Sequence, residues 1–308
     1  MGQFTGRVWS PVITPFTAHG NVDTQRFLGH ARWLIDSGLG LAVFGTNSEA
    51  NSLSVDEKKS ALDALIDGGI PPECLMPGTG ACALPDVIAL TRHAVGHGVA
   101  GVLMLPPFYY KGVSDEGLFR YYAQVIEAVA DPRLRIFIYH IPAVSQTPLS
   151  LPLIERLIAA YPEHIVGVKD SSGDWSNTQA MIDRFASSGF QVYAGSDTFL
   201  LDTLRAGGAG CISATANVNP GPIAKLAACW EHADAEDQQA ALVRVRKVFE
   251  GFPMIPALKA VVARYSGHDG WASLRPPLVE LGEDKRAALF SQLDALGFEM
   301  PGLKSIGG

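Results

Sequence analysis

Ile165-Val166-Gly167-Val168-Lys169-Asp170-Ser171-Ser172-Gly173-Asp174 joins a short apolar run to a lysine and then to a polar, glycine-containing turn. The run is β-rich and bounded by turn residues, which predicts a fully buried strand. Lys169 then falls at the C-terminal end of that strand. Loss of hydration there disfavours an ammonium, and a neutral amine attacks ketones to form a Schiff base. The competing explanation is purely structural: the stem packs, and the ammonium pairs with Asp170 or reaches solvent. On this segment alone the structural explanation leads; the pattern around it reverses the order.

Outward from Lys169, the same alternation of short apolar run and helical spacing repeats in both directions. Strands are predicted at 8–14, 41–44, 75–80, 101–105, 135–141, 165–169, 190–194 and 210–214. Helices are predicted between them, at 23–37, 54–67, 85–95, 114–129, 151–160, 175–186 and 198–206. Gly38 is read as the stop of the first helix, and Ser54 with Glu57 as a capping box at the second. Strands alternating with helices imply a parallel sheet, and near-continuous apolar runs fit strands covered on both faces. Eight such units in about 220 residues suit a closed (β/α)8 TIM barrel. An open doubly wound sheet competes, but Ile13-Thr14-Pro15-Phe16-Thr17 after the first strand is no glycine-rich fingerprint. About 90 further residues read as helical, more than one closing helix needs. The expected division is a barrel over 1–220 and a small helical appendage over 221–308.

The 308 residues are 47% apolar and 18% charged, enough for a large core, and the net charge is −7. An acidic chain argues against nucleic-acid or anionic-membrane partners. No apolar run is long enough for a membrane span, and Met1–Ser10 lacks the apolar core of a signal peptide. Gly6 stands where a myristoylation pattern needs Ser or Thr. The four cysteines, Cys74, Cys82, Cys211 and Cys229, include no C-x-x-C pair and suggest no zinc cluster. Cytosolic thiols are the simplest reading, with Cys74 and Cys211 as small buried hydrophobes.

In a barrel the chemistry lies at the C-terminal strand ends. In order, these ends carry Thr14, Thr46-Asn47-Ser48-Glu49, Gly78-Thr79-Gly80, Pro107-Phe108-Tyr109-Tyr110, Tyr139-His140-Ile141-Pro142, Lys169-Asp170, Ser196-Asp197 and Ser213-Ala214-Thr215. The set is hydroxyls, glycines and one lysine, with no cluster of histidines and carboxylates to hold a metal. It suits carbonyl chemistry with a lysine nucleophile and a tyrosine proton carrier.

These blocks resemble the class I pyruvate-lyase barrels, the dihydrodipicolinate synthase and N-acetylneuraminate lyase superfamily. Tyr139-His140-Ile141-Pro142, with Gly167-Val168-Lys169-Asp170-Ser171 near thirty residues on, carries the match, as does Gly45-Thr46-Asn47-Ser48-Glu49. The resemblance implies a Schiff base at Lys169 with pyruvate or another 2-oxo acid, and proton transfer by Tyr139. It implies that Thr46 links Tyr139 to Tyr109, which in the family often reaches in from a neighbouring subunit of a homotetramer. It further implies that Thr46 and Asn47, with nearby backbone and with Ser48 and Ser213, hold the substrate, with no cofactor. Asn47 and Ser48 depart from the family's Gly-Thr-Thr-Gly-Glu or Gly-Ser-Thr-Gly-Glu. Dihydrodipicolinate synthases also carry an arginine shortly after the tyrosine–proline pair, where this chain has Ala143-Val144-Ser145-Gln146-Thr147. That points toward the sialic-acid lyase and keto-deoxy sugar acid aldolase side. A dehydratase or 4-hydroxy-tetrahydrodipicolinate synthase of the same superfamily, and a catalytically silent barrel serving as a scaffold, are the rivals.

The remaining candidates have structural explanations. His140 is expected on the opposite strand face from Tyr139. Glu49 is expected to pair or cap, and Asp170 and Asp197 each to cap a helix or serve the site. One of Tyr109 and Tyr110 is expected to point inward. Lys58, Lys59 and Lys111 are expected to stay hydrated, whereas Lys259 lies in an apolar helical run.

Overall fold

The computed structural model describes residues 5–303, so the Met1-Gly2 start and the last residues of the predicted appendage lie outside the described residues. The stretch around Lys169 is a strand, Ile165–Asp170, whose Lys169 and Asp170 are both buried. Among the described residues, seven parallel strands form one sheet. They are β1 (Val8–Ser10), β2 (Gly40–Leu41), β3 (Val102–Met104), β4 (Ile136–His140), β5 (Ile165–Asp170), β6 (Gln191–Ala194) and β7 (Gly210–Ile212). Their order in space is β2-β1-β7-β6-β5-β4-β3.

The third predicted strand, 75–80, is shorter than expected and survives as two single parallel bridges, Leu41 to Leu75 and Gly78 to Leu103. Pro77 has no N–H to give, which shortens the ladder. The segment still bonds on both sides: the Met76 N–H donates to the Leu41 carbonyl at 2.8 Å, and the Leu103 N–H to the Pro77 carbonyl at 3.0 Å. The sheet therefore curls until its two end strands, β2 and β3, share one neighbour. Gly78 permits this, because a Cβ there would stand 2.1 Å from the Phe44 carbonyl oxygen.

Twelve α-helices connect and follow the strands among the described residues. Those before β7 are α1 (Thr24–Asp36), α2 (Val55–Asp67), α3 (Leu84–Gly96), α4 (Asp115–Val129), α5 (Pro142–Ser145), α6 (Leu151–Ala160), α7 (Trp175–Phe185) and α8 (Leu200–Arg205). Gly38 adopts φ 88° just past α1, the left-handed conformation its missing Cβ makes cheap. Both halves of the capping box at α2 form: the Glu57 N–H donates to the Ser54 hydroxyl at 3.1 Å and the Ser54 N–H to the Glu57 carboxylate at 2.9 Å. The one-turn α5 was not anticipated; it follows β4 directly, with Pro142 in its first turn. After β7 come α9 (Pro220–Ala228), α10 (Ala235–Glu250), α11 (Met254–Ser266) and α12 (Glu283–Ala295).

Alternation along the strands splits the core in two. Ile136, Ile138, Val168, Val192 and Ala194 face outward into a large cluster shared with the helices, including Leu242, Phe249 and Val261 of α10 and α11. Trp9, Ala42, Met76, Leu103, Phe137, Tyr139, Tyr193 and Ile212 face inward and fill the space the sheet encloses. Gly167 is needed there, since a Cβ would stand 2.5 Å from the Phe137 ring. No described helix is long and apolar enough to cross a membrane.

Candidate active site

Strand register places the lysine and the tyrosine. β4 and β5 pair in parallel with Tyr139 opposite Lys169 and His140 opposite Asp170. Tyr139 and Lys169 therefore point to the same, inner side, and the Lys169 ammonium lies 4.4 Å from the centroid of the Tyr139 ring. The Tyr139 hydroxyl meets the Thr46 hydroxyl at 3.5 Å. Burial pushes the Tyr139 phenol up. The charge of Lys169 and hydrogen bonds involving Thr46, Ser171 and Lys169 outweigh it, so the net displacement is downward. An inner phenol that gives up its proton more readily than usual is suited to moving protons at a bound substrate.

Both residues open onto a cavity of about 1100 Å³ at the C-terminal strand ends. Thr46 and Asn47 line it, as do Ala143 and Val144 of α5. An apolar wall thus stands after the tyrosine–proline pair. The far side comes from the C-terminal region, including Arg246, Met254, Leu278, Val279 and Lys285. Sequence reasoning missed this contribution, because no local signal aims a helix at a strand end a hundred residues away. The Arg246 Nε donates to Glu250 at 2.9 Å, while its Nη1 is buried with no hydrogen-bond partner.

The loop after β2 is built differently from a plain turn. Thr46–Ser48 form one 3₁₀ turn, flanked by Phe44 at φ 59° and Glu49 at φ 56°. Left-handed backbone at two residues with side chains is costly, and persists where the surroundings enforce it. Glu49 is held by a fully buried ion pair with Lys259 of α11, and its second oxygen accepts from the Arg275 N–H at 3.4 Å. The expectation that Glu49 pairs is met.

Other expectations divide. Ser48 lies in the loop, yet its side chain is buried and does not line the cavity. Ser213 is fully buried, donates its hydroxyl to Asp197 at 2.5 Å and does not line the cavity. Asp197 accepts from Thr215 as well, while Ser196 caps the short helical turn, so Asp197 is neither that cap nor a cavity residue. Asp170 is no helix cap either; α7 is capped by Asp174. Asp170 lines the cavity and accepts from Thr178 at 2.6 Å and from the Ser172 hydroxyl at 3.0 Å. His140 packs on the outer face as expected, its Nδ1 accepting from the Leu149 N–H at 3.0 Å. Burial pushes that imidazole down, against the pull of Asp170. Tyr109 and Tyr110 are 74% and 70% exposed, so neither turns into its own chain's cavity, contrary to the expectation that one would. Lys58 is also corrected: it is buried, and desolvation pushes its ammonium down.

Among the described residues, one grouping of possible metal ligands lies away from the strand ends, and the sequence reading overlooked it. Asp63, His93 and His97 meet on the outer faces of α2 and α3. The i, i+4 spacing of the two histidines was the available signal.

The architecture and the buried lysine–tyrosine pair define an α/β protein with a strand-end site of the kind lyases use. The model of the Dihydrodipicolinate synthetase family matches residues 4–296, and the chain belongs to that family. It is 36% identical to an uncharacterized DapA-like lyase of Chloroflexus aurantiacus, over 91% of this chain and 93% of that one. The crystal structure of dihydrodipicolinate synthase from Agrobacterium tumefaciens superposes with a TM-score of 0.87 at 31% identity, covering 95% of this chain and 99% of that one. The structure of YagE from Escherichia coli, a member of the same family in complex with pyruvate, gives 0.86 at 28% identity, covering 95% and 98%. YagE is described as a putative 2-dehydro-3-deoxy-D-gluconate aldolase.

Proposed function

We propose that the chain is a class I carbon–carbon lyase that cleaves, or in reverse condenses, a 2-oxo acid and an aldehyde through a Schiff base on Lys169. The observation that carries it is Lys169 set 4.4 Å over the ring of Tyr139, at the base of one large cavity. The scaffold is a (β/α)8 barrel over 1–220, closed through 75–78, with a C-terminal helical region over 221–308 that roofs the site.

The chemistry follows from the groups present. The Lys169 amine adds to the C2 ketone, and loss of water leaves an iminium that draws electrons from C3. Tyr139, having given its proton to the departing water, takes the proton of the C4 hydroxyl. The C3–C4 bond then breaks, its electron pair moving into an enamine as the aldehyde departs. Protonation at C3 and hydrolysis release pyruvate and free the lysine. The carboxylate sits against Thr46 and Asn47, whose N–H groups begin a 3₁₀ turn and have no carbonyl to bond within it. The cavity exceeds what a three-carbon acid needs, which suits a longer hydroxylated chain such as a keto-deoxy sugar acid. Ala143 and Val144 offer no charge to a second carboxylate at that wall. This favours the sugar-acid reading over a dicarboxylate product. The family's description and the aldolase assignment of YagE support the same class.

Incubation with pyruvate and borohydride, followed by intact-mass and peptide analysis, tests the proposal. One adduct per chain is expected, at Lys169, and none in Lys169→Ala. Absence of an adduct with pyruvate and with longer 2-oxo acids removes the Schiff-base mechanism.

A further inference from the structure

On the outer wall, outside the cavity lining, Asp63 of α2 faces His93 of α3 and His97 at its C-terminal cap. His93 Nε2 lies 2.7 Å from Asp63 Oδ1, and His97 Nε2 lies 2.8 Å from the same oxygen. The two rings stand edge to face with centroids 4.9 Å apart. Two imidazoles that merely needed a hydrogen-bond acceptor could take one carboxylate oxygen each. Here both present the same ring nitrogen to a single oxygen, and the three ligand atoms lie within 4.8 Å of one another.

We infer that Asp63, His93 and His97 form a binding site for a divalent transition-metal ion of the zinc class. Two imidazole nitrogens and a carboxylate oxygen are the donor set such ions favour over magnesium or calcium. Ligands at about 2.0–2.1 Å from a tetrahedral ion stand roughly 3.3 Å apart. The observed oxygen–nitrogen separations reach that by opening about half an ångström at each contact. The side chains of His93, His97 and Asp63 are 25%, 32% and 41% exposed, so an ion can enter and a water can complete its shell. The ion would clip α2 to α3, the helices on either side of segment 75–78. That is where strand pairing is sparsest, resting on two single bridges. Its function is stabilisation of that wall rather than chemistry, since none of the three residues lines the cavity.

The test uses the full-length, tag-free chain, stripped with chelator and then titrated with zinc chloride by calorimetry. A parallel titration with cobalt chloride is followed by visible absorption. One ion per chain at micromolar or tighter affinity is expected, with a cobalt band of a low-coordinate site and a rise in Tm that EDTA reverses. His97→Asn should abolish the band and weaken zinc binding by about 100-fold or more, beyond the usual cost of losing an outer-shell partner. Binding no tighter than millimolar in the wild-type chain overturns the inference. So does equal binding by the His93→Asn/His97→Asn double variant, whose fold is checked by circular dichroism.

Discussion

Glu49 and Lys259 form an ion pair with no solvent exposure on either side chain, tying the loop after β2 to α11. Lys259 also donates to the Ser273 carbonyl at 2.7 Å and lies over the Phe16 ring at 4.4 Å. Burial pushes its ammonium down to about 8, against the pull of Glu49. Lys259 is clamped by its partners and does not line the cavity, so access directs trapping to Lys169, which does.

The pair also enforces the left-handed Glu49 that shapes the Thr46–Ser48 turn. Replacing one partner strands a buried charge, at a cost of about 3–5 kcal/mol. Glu49→Gln and Lys259→Met should each lose stability of that order in urea unfolding, and the double variant should recover part of it. Equal losses that simply add would show the two residues are not coupled.

Tyr139→Phe should still be trapped with pyruvate and borohydride, because the amine remains. Cleavage should slow by about 100-fold or more, the usual worth of a general acid–base. Thr46→Val removes the hydroxyl 3.5 Å from the phenol and should slow the reaction less. Single-turnover rates separate these effects. An unimpaired Tyr139→Phe enzyme would strip the tyrosine of its proposed role.

His30 is fully buried between Trp33 and Trp271, with ring centroids 5.6 Å and 5.2 Å away. Burial pushes its imidazole from 6.5 down to about 4. The unfolded chain therefore takes up a proton that the folded chain refuses, and stability falls as pH drops from about 6.5 toward 4. His30→Phe should lose less stability than wild type between about pH 7.5 and about pH 4.5. Identical acid sensitivity in urea midpoints would assign the effect to other groups.

Tyr109 and Tyr110 expose adjacent rings, 5.4 Å apart, on a loop beyond the site. Exposed paired aromatics suit a contact with another copy. We expect a homotetramer in which Tyr109 completes the neighbour's site beside Thr46. Light scattering should report four chains, and Tyr109→Ala should lower turnover. A monomer at micromolar concentration with full activity removes this role.

Much of the arrangement is legible in the sequence. The alternation of apolar runs and helical spacing marks strands and helices because each reads a local period, two for a strand and 3.6 for a helix. Ser54, Glu57 and Gly38 mark helix ends because capping and left-handed backbone are local chemistry. Lys169 at the end of its apolar run was equally visible.

What the tertiary structure alone decided are the meetings of residues distant in sequence. The strand register sets Tyr139 beside Lys169, and packing sends Ser213 to Asp197 rather than to the cavity. The loop after β2 finds Lys259 more than two hundred residues on, and Arg246 of α10 lines the cavity. No local period encodes such contacts, because they form only when strands pair and helices dock. The same docking of α2 on α3 brings Asp63 to His93 and His97. Local preference determined which elements form; the packing of those elements determined which side chains share a site.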